Sequence, residues 1–164
     1  MSTKTYLAGA DIGSTTVKIA VLDENGNLVF GRYMRHFANI RDTFRNLLCE
    51  AKEVLGDISL KLNVTGSGSL NLSKLMNIGF VQEVVAEAEA VKRLAPSTDV
   101  AIELGGEDAK IIYFTGGLEE RMNGVCAGGT GSFIDQMAAL LQTDATGLNE
   151  YAKNYHSLYT IASR

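Results

Sequence analysis

Cysteine is scarce in this chain of 164 residues, which contains only Cys49 and Cys126. Two cysteines give neither a disulfide framework nor a paired-cysteine metal motif. The longest apolar runs are only as long as a strand, and the amino terminus lacks the apolar region of a signal peptide. These absences exclude a disulfide scaffold and a membrane-spanning protein, and they indicate a cytoplasmic one.

Basic runs and linkers are also missing. The net charge is −4, and no cluster of lysine and arginine alternates with aromatic residues, which argues against a nucleic-acid surface. The single proline, Pro96, separates an acidic helix from the next strand, and no low-complexity segment divides the chain. The length suits one domain, or one large domain with an unfinished second.

Apolar periodicity predicts a mixed α/β layout that is opened by three antiparallel strands and flanked by helices. Asn25-Gly26 and Gly116-Gly117 are typical hairpin turns. The predicted strands are Tyr6–Ala10, Val17–Leu22, Leu28–Met34, Leu60–Thr65, Val100–Leu104, Lys110–Phe114 and Leu118–Met122. The predicted helices are Ile40–Leu55, Leu70–Met76, Glu83–Leu94 and one that begins near Ser132.

Two glycine turns repeat one pattern. The segments Ala10–Ile19 and Ile102–Ile111 align an acid, an apolar residue, a glycine, a lysine and an isoleucine at a constant offset. Each ends a strand with a carboxylate, turns where backbone amides can approach a ligand closely, and starts a strand that carries a lysine. Two such turns facing each other would clamp a polyphosphate, with Asp11 and Glu103 holding magnesium directly or through water.

The residues assigned to this phosphate site supply amides, hydroxyls or charge: Gly13, Ser14, Thr15, Thr16, Lys18, Gly105 and Gly106. Lysines of strands usually face water, which makes Lys18 and Lys110 weaker candidates. The pattern is neither a Walker loop nor a dinucleotide fingerprint. For one turn alone, ordinary hairpin glycines and solvated acids would be the favoured interpretation. The matched pair favours phosphate binding.

The segment Asn123–Gly131 places Cys126 among glycines where an amphipathic helix begins. Ser132 and Asp135 are arranged like a weak capping box, and free N–H groups at the helix start would favour a phosphate, a thiolate or an iron–sulfur cluster. Alternatively, Cys126 is a small buried hydrophobe. Local evidence leaves both interpretations open. The apolar face of the helix is formed by Phe133, Ile134, Met137, Leu140 and Leu141.

Other candidates have weaker patterns. His36 and His156 lack ligand partners at metal spacing, and no Gly-x-Ser-x-Gly elbow is present. Thr65–Gly68 is better explained as a plain loop than as a phosphate contact. Cys49 is predicted to be a structural thiol at the edge of a helical core stripe.

Taken in order, Asp11–Thr16, Glu103–Asp108 and Asn123–Gly131 resemble the activators of 2-hydroxyacyl-CoA dehydratases, within the BadF/BadG/BcrA/BcrD-type ATPases. The two hairpins alone would indicate only the wider superfamily of sugar kinases, actin and heat-shock chaperones. The resemblance implies a ribonuclease-H-like, actin-like ATPase fold that binds ATP or ADP and Mg²⁺. It also implies a [4Fe-4S] cluster shared across a homodimer, to which each subunit gives two cysteines.

Cys126 matches the first cluster ligand, and Gly128, Gly129, Thr130 and Gly131 complete the predicted cofactor-binding set. The resemblance places the second cysteine after a strand like residues 159–164, where this chain stops. We therefore expect an amino-terminal part of a longer protein. Residues 1–122 would form the ATPase domain with both hairpins, and residues 123–164 would begin a second domain.

The implied activity is ATP hydrolysis that drives one electron into an acyl-CoA dehydratase or reductase, with ferredoxin or flavodoxin as donor. Two departures from the activators accompany it: Glu103 stands where they often have aspartate, and Glu107 where they often have glutamine. Glu107 either acts as a base toward water or weakens nucleotide binding. The predicted catalytic residues are Asp11, Glu103, Glu107 and Asp108.

Two alternatives stay open at this stage. One is a kinase of the sugar-kinase superfamily, with Cys126 as packing. The other is a non-catalytic nucleotide-binding or assembly module. Whichever function is correct, we expect at best weak ATP affinity for these 164 residues alone, because most of the adenosine pocket would be absent.

Overall fold

The computed structural model describes residues 4–123 and 130–159. They form two compact units, one up to Glu89 and one from Ala90, with the boundary inside the third helix. The predicted boundary after residue 122 concerns the domains of a longer protein and stays a prediction.

Among the described residues, the strands are β1 Thr5–Ile12, β2 Thr16–Leu22, β3 Leu28–Arg35, β4 Ser59–Thr65, β5 Gly79–Phe80, β6 Val100–Leu104, β7 Ala109–Tyr113 and β8 Glu119–Met122. The helices are α1 Ile40–Leu55, α2 Leu70–Met76, α3 Glu83–Leu94, α4 Gly131–Leu140 and α5 Ala145–Lys153. The mixed α/β layout is confirmed. The short strand β5 and the helix α5 were not predicted.

The first unit is built on a five-stranded sheet in the order β3-β2-β1-β4-β5. Strands β1, β2 and β3 are antiparallel neighbours, as predicted, and Gly26 takes the positive φ of 82° that the Asn25-Gly26 turn requires. Strand β4 lies parallel to β1, and β5 lies parallel to β4. A parallel neighbour needs a crossover, and α1 supplies it between β3 and β4.

Helix α1 covers this sheet with one apolar stripe, in which Phe44, Leu47 and Ala51 are buried. Its ends are set locally: the Asn39 side chain accepts a hydrogen bond from the Asp42 amide, and the Gly56 amide donates to the Lys52 carbonyl. The sheet contributes Ala8, Ala10, Ile12, Val17, Ile19, Val21, Phe30 and Val64 to the same core.

Cys49 lies on α1 and is exposed. The prediction that Cys49 is a structural thiol at the edge of the stripe is wrong in that the thiol is not packed into the core. The register of the helix turns Leu47 and Ala51 toward the sheet and leaves the position between them near solvent.

The second unit contains the antiparallel sheet β6-β7-β8. The predicted turn at Gly116 and Gly117 is confirmed, since both glycines have positive φ, at 79° and 129°. Ile112 of β7 and Ala138 of α4 are buried in this unit.

The predicted details of α4 are partly wrong. The cap residue is Thr130, and Ser132 is already the second helical residue, so Ser132 does not begin a capping box. Of the predicted apolar face, Leu140 and Leu141 are exposed, because the helix ends there. Within the described part of the chain, no helix combines the length and the apolar character needed to cross a bilayer.

Candidate nucleotide site

The first glycine turn joins β1 to β2. The Gly13 amide donates to the Thr16 carbonyl at 2.9 Å, which closes the hairpin around Ser14 and Thr15. Ser14 is exposed, Thr15 is half-buried and Thr16 is buried. The turn therefore presents two residues at its tip, with backbone amides that are not all used by the hairpin itself.

Asp11 and Lys18 are direct cross-strand partners below this turn. The Lys18 ammonium lies 2.6 Å from Asp11 Oδ2, so the lysine already has a carboxylate to neutralise. The other oxygen, Asp11 Oδ1, is buried and has no hydrogen-bond partner among the described residues. A buried carboxylate oxygen without a donor is an acceptor for a metal ion, a water molecule or another hydrogen donor.

The loop after β4 packs against the same end of β1. The Gly68 amide donates to the Ile12 carbonyl at 2.8 Å, and the Ser69 hydroxyl donates to the Gly66 carbonyl at 2.7 Å. Gly66 has φ of 90°, and a Cβ there would clash with Asp11 Oδ1 and lie 2.5 Å from the Ile12 carbonyl oxygen. These contacts agree with the plain-loop interpretation of Thr65–Gly68 and give the loop a supporting role beside Asp11.

The second glycine turn joins β6 to β7 with the same geometry. The Gly105 amide donates to the Asp108 carbonyl at 2.9 Å, which closes the hairpin around Gly106 and Glu107. Glu103 and Lys110 are cross-strand partners, as Asp11 and Lys18 are in the first turn. The repeat in the sequence is therefore also a repeat in the structure: both turns have the same closing hydrogen bond and the same carboxylate–lysine pair.

The two lysines differ in burial. Lys110 is only 3% exposed, and its ammonium lies 2.8 Å from Glu103 Oε2 and 3.9 Å from Asp108 Oδ2. Nearly half of the Lys18 side chain is exposed. The expectation that strand lysines face water is therefore wrong for Lys110, which holds two carboxylates of its own turn.

The side chain of Asp108 lies over Gly105. A Cβ at residue 105 would clash with Asp108 Oδ1, so the aspartate side chain folds over the glycine. Glu107, the other predicted catalytic acid of this turn, is exposed at the hairpin tip. Its carboxylate is thus accessible to water or to a ligand.

The amino end of α4 is bonded to the second turn. The Gly131 amide donates to the Gly105 carbonyl and the Ser132 amide donates to the Gly106 carbonyl, both at 2.8 Å. The prediction that these helix N–H groups are free for an anion is wrong for both residues. A Cβ on Gly131 would lie 3.2 Å from the Gly105 oxygen, so glycine permits this close contact between helix and turn.

His36 is the residue of this region whose role the sequence did not predict. It follows β3, is buried, and contacts the first turn through both its backbone and its ring. The sequence did contain a signal for the position of His36. When the strand pairing that starts at the Asn25-Gly26 hairpin is followed to its end, Arg35 lies opposite Thr16, and His36 therefore lies beside Thr15.

Several predicted residues lie outside the described residues. Cys126, the proposed cluster ligand, is one, and Gly128 and Gly129 are the others. Thr130 is described and is buried at the start of α4.

Comparison with known proteins supplies an independent line of evidence. The profile of the BadF/BadG/BcrA/BcrD ATPase family matches residues 8–156. The chain is 32% identical to the activator of lactoyl-CoA dehydratase from Anaerotignum propionicum, over 84% of this chain and 54% of that protein.

Two solved structures are similar. Component A of the (R)-2-hydroxyglutaryl-CoA dehydratase from Acidaminococcus fermentans superposes with a TM-score of 0.82 at 25% identity, over 98% of this chain and 63% of that one. The activator of the 2-hydroxyisocaproyl-CoA dehydratase from Clostridium difficile, solved with bound ADPNP, has a TM-score of 0.76 at 28% identity, over 96% and 60%. The predicted ribonuclease-H-like, actin-like fold class is confirmed. The chain spans about three-fifths of the length of these relatives.

Proposed function

The chain belongs to the BadF/BadG/BcrA/BcrD ATPase family, and from this premise we propose that it is the nucleotide-binding part of an ATP-hydrolysing activator. Its target would be an acyl-CoA dehydratase or reductase, which it would supply with one electron at a time. The observation that carries the proposal is the repeated glycine turn, in which two hairpins have the same closing hydrogen bond and the same carboxylate–lysine pair. One similar structure was solved with ADPNP, which supports nucleotide use.

Asp11 is the residue that best fits magnesium. Its Oδ1 is buried and receives no hydrogen bond from the residues that the structure describes, and Mg²⁺ binds carboxylate oxygens either directly or through its own water. When bound, the ion would neutralise phosphate charge. Lys18 keeps the second oxygen of Asp11 in place. The predictions that Glu103 shares this ion and that the two turns clamp one polyphosphate stay predictions.

Within the second unit, the structure suggests how a change at the turn would reach α4. Two carbonyl oxygens of the turn, at Gly105 and Gly106, accept the first amides of the helix. A shift of this turn around phosphate would therefore move the start of α4. We propose that this connection transmits nucleotide state toward Cys126, five residues before the helix begins.

The proposed nucleotide site is tested by Asp11→Asn, with Asp57→Asn as control because the Asp57 side chain is 98% exposed. We expect Asp11→Asn to weaken Mg²⁺–ADPNP binding about tenfold or more, since the amide no longer offers a charged oxygen. Isothermal titration calorimetry with and without Mg²⁺ measures this. An unchanged affinity would contradict the assignment of Asp11.

Two other results would redirect the proposal. A wild-type chain that binds no ADPNP would favour a non-catalytic assembly module, and phosphorylation of an acceptor in the presence of ATP would favour the kinase alternative. Acyl-CoA specificity and a ferredoxin or flavodoxin donor are further proposals, which assays with the dehydratase component would test. A homodimer is a further proposal, which the mass of the protein in solution would test.

The cluster is tested by anaerobic reconstitution, with iron and sulfide, of a longer protein that includes the second predicted cysteine, which we expect to bind iron and gain visible absorption. Cys126→Ser should lower the bound iron severalfold, because thiolate ligands hold such clusters. Cys49→Ser provides the matched control, since Cys49 lies on α1 in the first unit. A colourless, iron-free wild type of this longer protein would contradict the cluster proposal while leaving the nucleotide site standing.

A further inference from the structure

His36 makes two hydrogen bonds to the first glycine turn. Its amide donates to the Thr15 carbonyl at 3.1 Å, and its ring Nε2 lies 3.2 Å from the Gly13 carbonyl oxygen. The residue is 5% exposed, so these bonds form away from competing water. Both carbonyls that it contacts belong to the hairpin proposed to bind phosphate.

The protonation of the ring follows from its partners. The Ala38 amide lies 3.1 Å from Nδ1, and an amide N–H can only donate, so Nδ1 must accept. Nε2 faces a carbonyl oxygen, which can only accept, so Nε2 must carry the hydrogen. One neutral tautomer satisfies both contacts.

The backbone after His36 holds the ring in this position. Phe37 and Ala38 both adopt positive φ, at 44° and 65°, a conformation that residues with a Cβ seldom take. The Asn39 amide then donates to the His36 carbonyl at 2.6 Å, and the Asn39 side chain caps α1. His36 is thereby fixed between the start of α1 and the turn.

The geometry of a trans peptide gives this contact a consequence for the ligand. The carbonyl of Gly13 and the amide of Ser14 belong to one planar peptide group and point in opposite directions. Because Nε2–H holds the Gly13 oxygen on the protein side, the Ser14 amide points away from His36, at the exposed tip. Such an outward amide is the kind of donor that phosphate oxygens accept.

We propose that His36 is a positioning residue for phosphate. Its Nε2–H fixes the Gly13–Ser14 peptide so that the Ser14 amide is preorganised toward a nucleotide phosphate. The inference rests on the proposed function of the first turn. It assigns His36 no contact with the ligand itself.

Two conservative variants distinguish the hydrogen bond made by Nε2 from the one made by Nδ1. In His36→Gln, the amide Nε2 can occupy the place of ring Nε2 and donate to the Gly13 oxygen. In His36→Asn, the side-chain oxygen can replace Nδ1 as acceptor, but the side chain is too short to reach Gly13. His36→Phe keeps the ring volume without either hydrogen bond. His156→Gln changes the other, exposed histidine and serves as control.

The first readout needs no nucleotide: amide hydrogen exchange at residues 13–16, measured by NMR. We expect exchange of the Gly13 amide, which closes the turn by donating to the Thr16 carbonyl, to quicken in His36→Asn and His36→Phe, and to stay near the wild-type rate in His36→Gln and His156→Gln. The second readout is Mg²⁺–ADPNP affinity, which should fall about tenfold in the same two variants and about twofold or less in the other two.

The outcomes are distinguishable. If His36→Asn matches the wild type, or if His36→Gln loses as much as His36→Asn, the positioning role is wrong. If His36→Asn does not fold, His36→Phe against His36→Gln decides the same question. If the wild type binds no ADPNP, the proposed function fails, and exchange of the Gly13 amide still decides whether His36 fixes the turn.

Discussion

Lys110→Met is expected to lower the free energy of unfolding of the second unit by about 3 kcal/mol, the lower end of the cost of breaking a buried ion pair. The Lys110 ammonium is almost fully buried between Glu103 and Asp108. Methionine preserves the length of the side chain and removes the ammonium that pairs with Glu103 Oε2. Because the Glu103 side chain is 31% exposed, water relieves part of the cost. Urea denaturation followed by circular dichroism measures the change.

Lys18→Met is the matched control, because Lys18 occupies the same position in the first turn. Its side chain is 46% exposed, and removal of a solvent-exposed ion pair costs only about 0–1 kcal/mol. If both substitutions cost the same, burial does not set the strength of these pairs. If Lys110→Met is harmless, the second hairpin does not depend on its lysine.

Because Lys110 is buried and Lys18 is exposed, the two copies of the repeat suit different roles. Lys110 is committed to the carboxylates of its own turn and stabilises the hairpin on which α4 begins. Lys18 is accessible, and beside it the buried Oδ1 of Asp11 accepts no hydrogen bond within the described part of the chain. The first turn is therefore the better candidate for contact with the ligand. The second turn is the better candidate for passing a structural change on to the start of α4.

Local signals in the sequence predicted most of this fold. The hairpins follow from Asn25-Gly26 and Gly116-Gly117, because each pair supplies the positive φ that its turn needs. Helix α1 follows from its apolar stripe, and the structure adds that Asn39 and Gly56 cap its ends. The repeat of the glycine turns was visible because both copies have the same spacing.

Features that depend on distant residues were not predicted. The insertion of β4 beside β1 is a long-range pairing that no local pattern encodes. The amides of α4 were expected to be free because the sequence does not show that the Gly105 and Gly106 carbonyls accept them. The role of His36 likewise depends on a strand register and not on a motif of its own.

Gly13→Ala is expected to abolish most of the nucleotide affinity without destabilising the fold. A Cβ at residue 13 would lie 3.7 Å from the Thr16 carbonyl oxygen, an ordinary contact, and Gly13 is not among the glycines with positive φ. The unfolding free energy should therefore change by about 0.5 kcal/mol or less. A methyl group at the turn would keep a phosphate from approaching the backbone, so we expect Mg²⁺–ADPNP affinity to fall about tenfold or more.

Gly66→Ala is the comparison variant, because there the added methyl group is expected to affect stability and not ligand approach. With φ of 90° and the Ile12 carbonyl 2.5 Å from the added Cβ, it should destabilise the first unit by at least about 2 kcal/mol, because the clash is with backbone. Calorimetry and urea denaturation on both variants then separate ligand approach from folding. Gly13→Ala should lose affinity with stability retained, and Gly66→Ala should lose stability first. Full ADPNP affinity in Gly13→Ala would contradict close phosphate approach at the first turn, since a site that tolerates the methyl group cannot depend on backbone contact there.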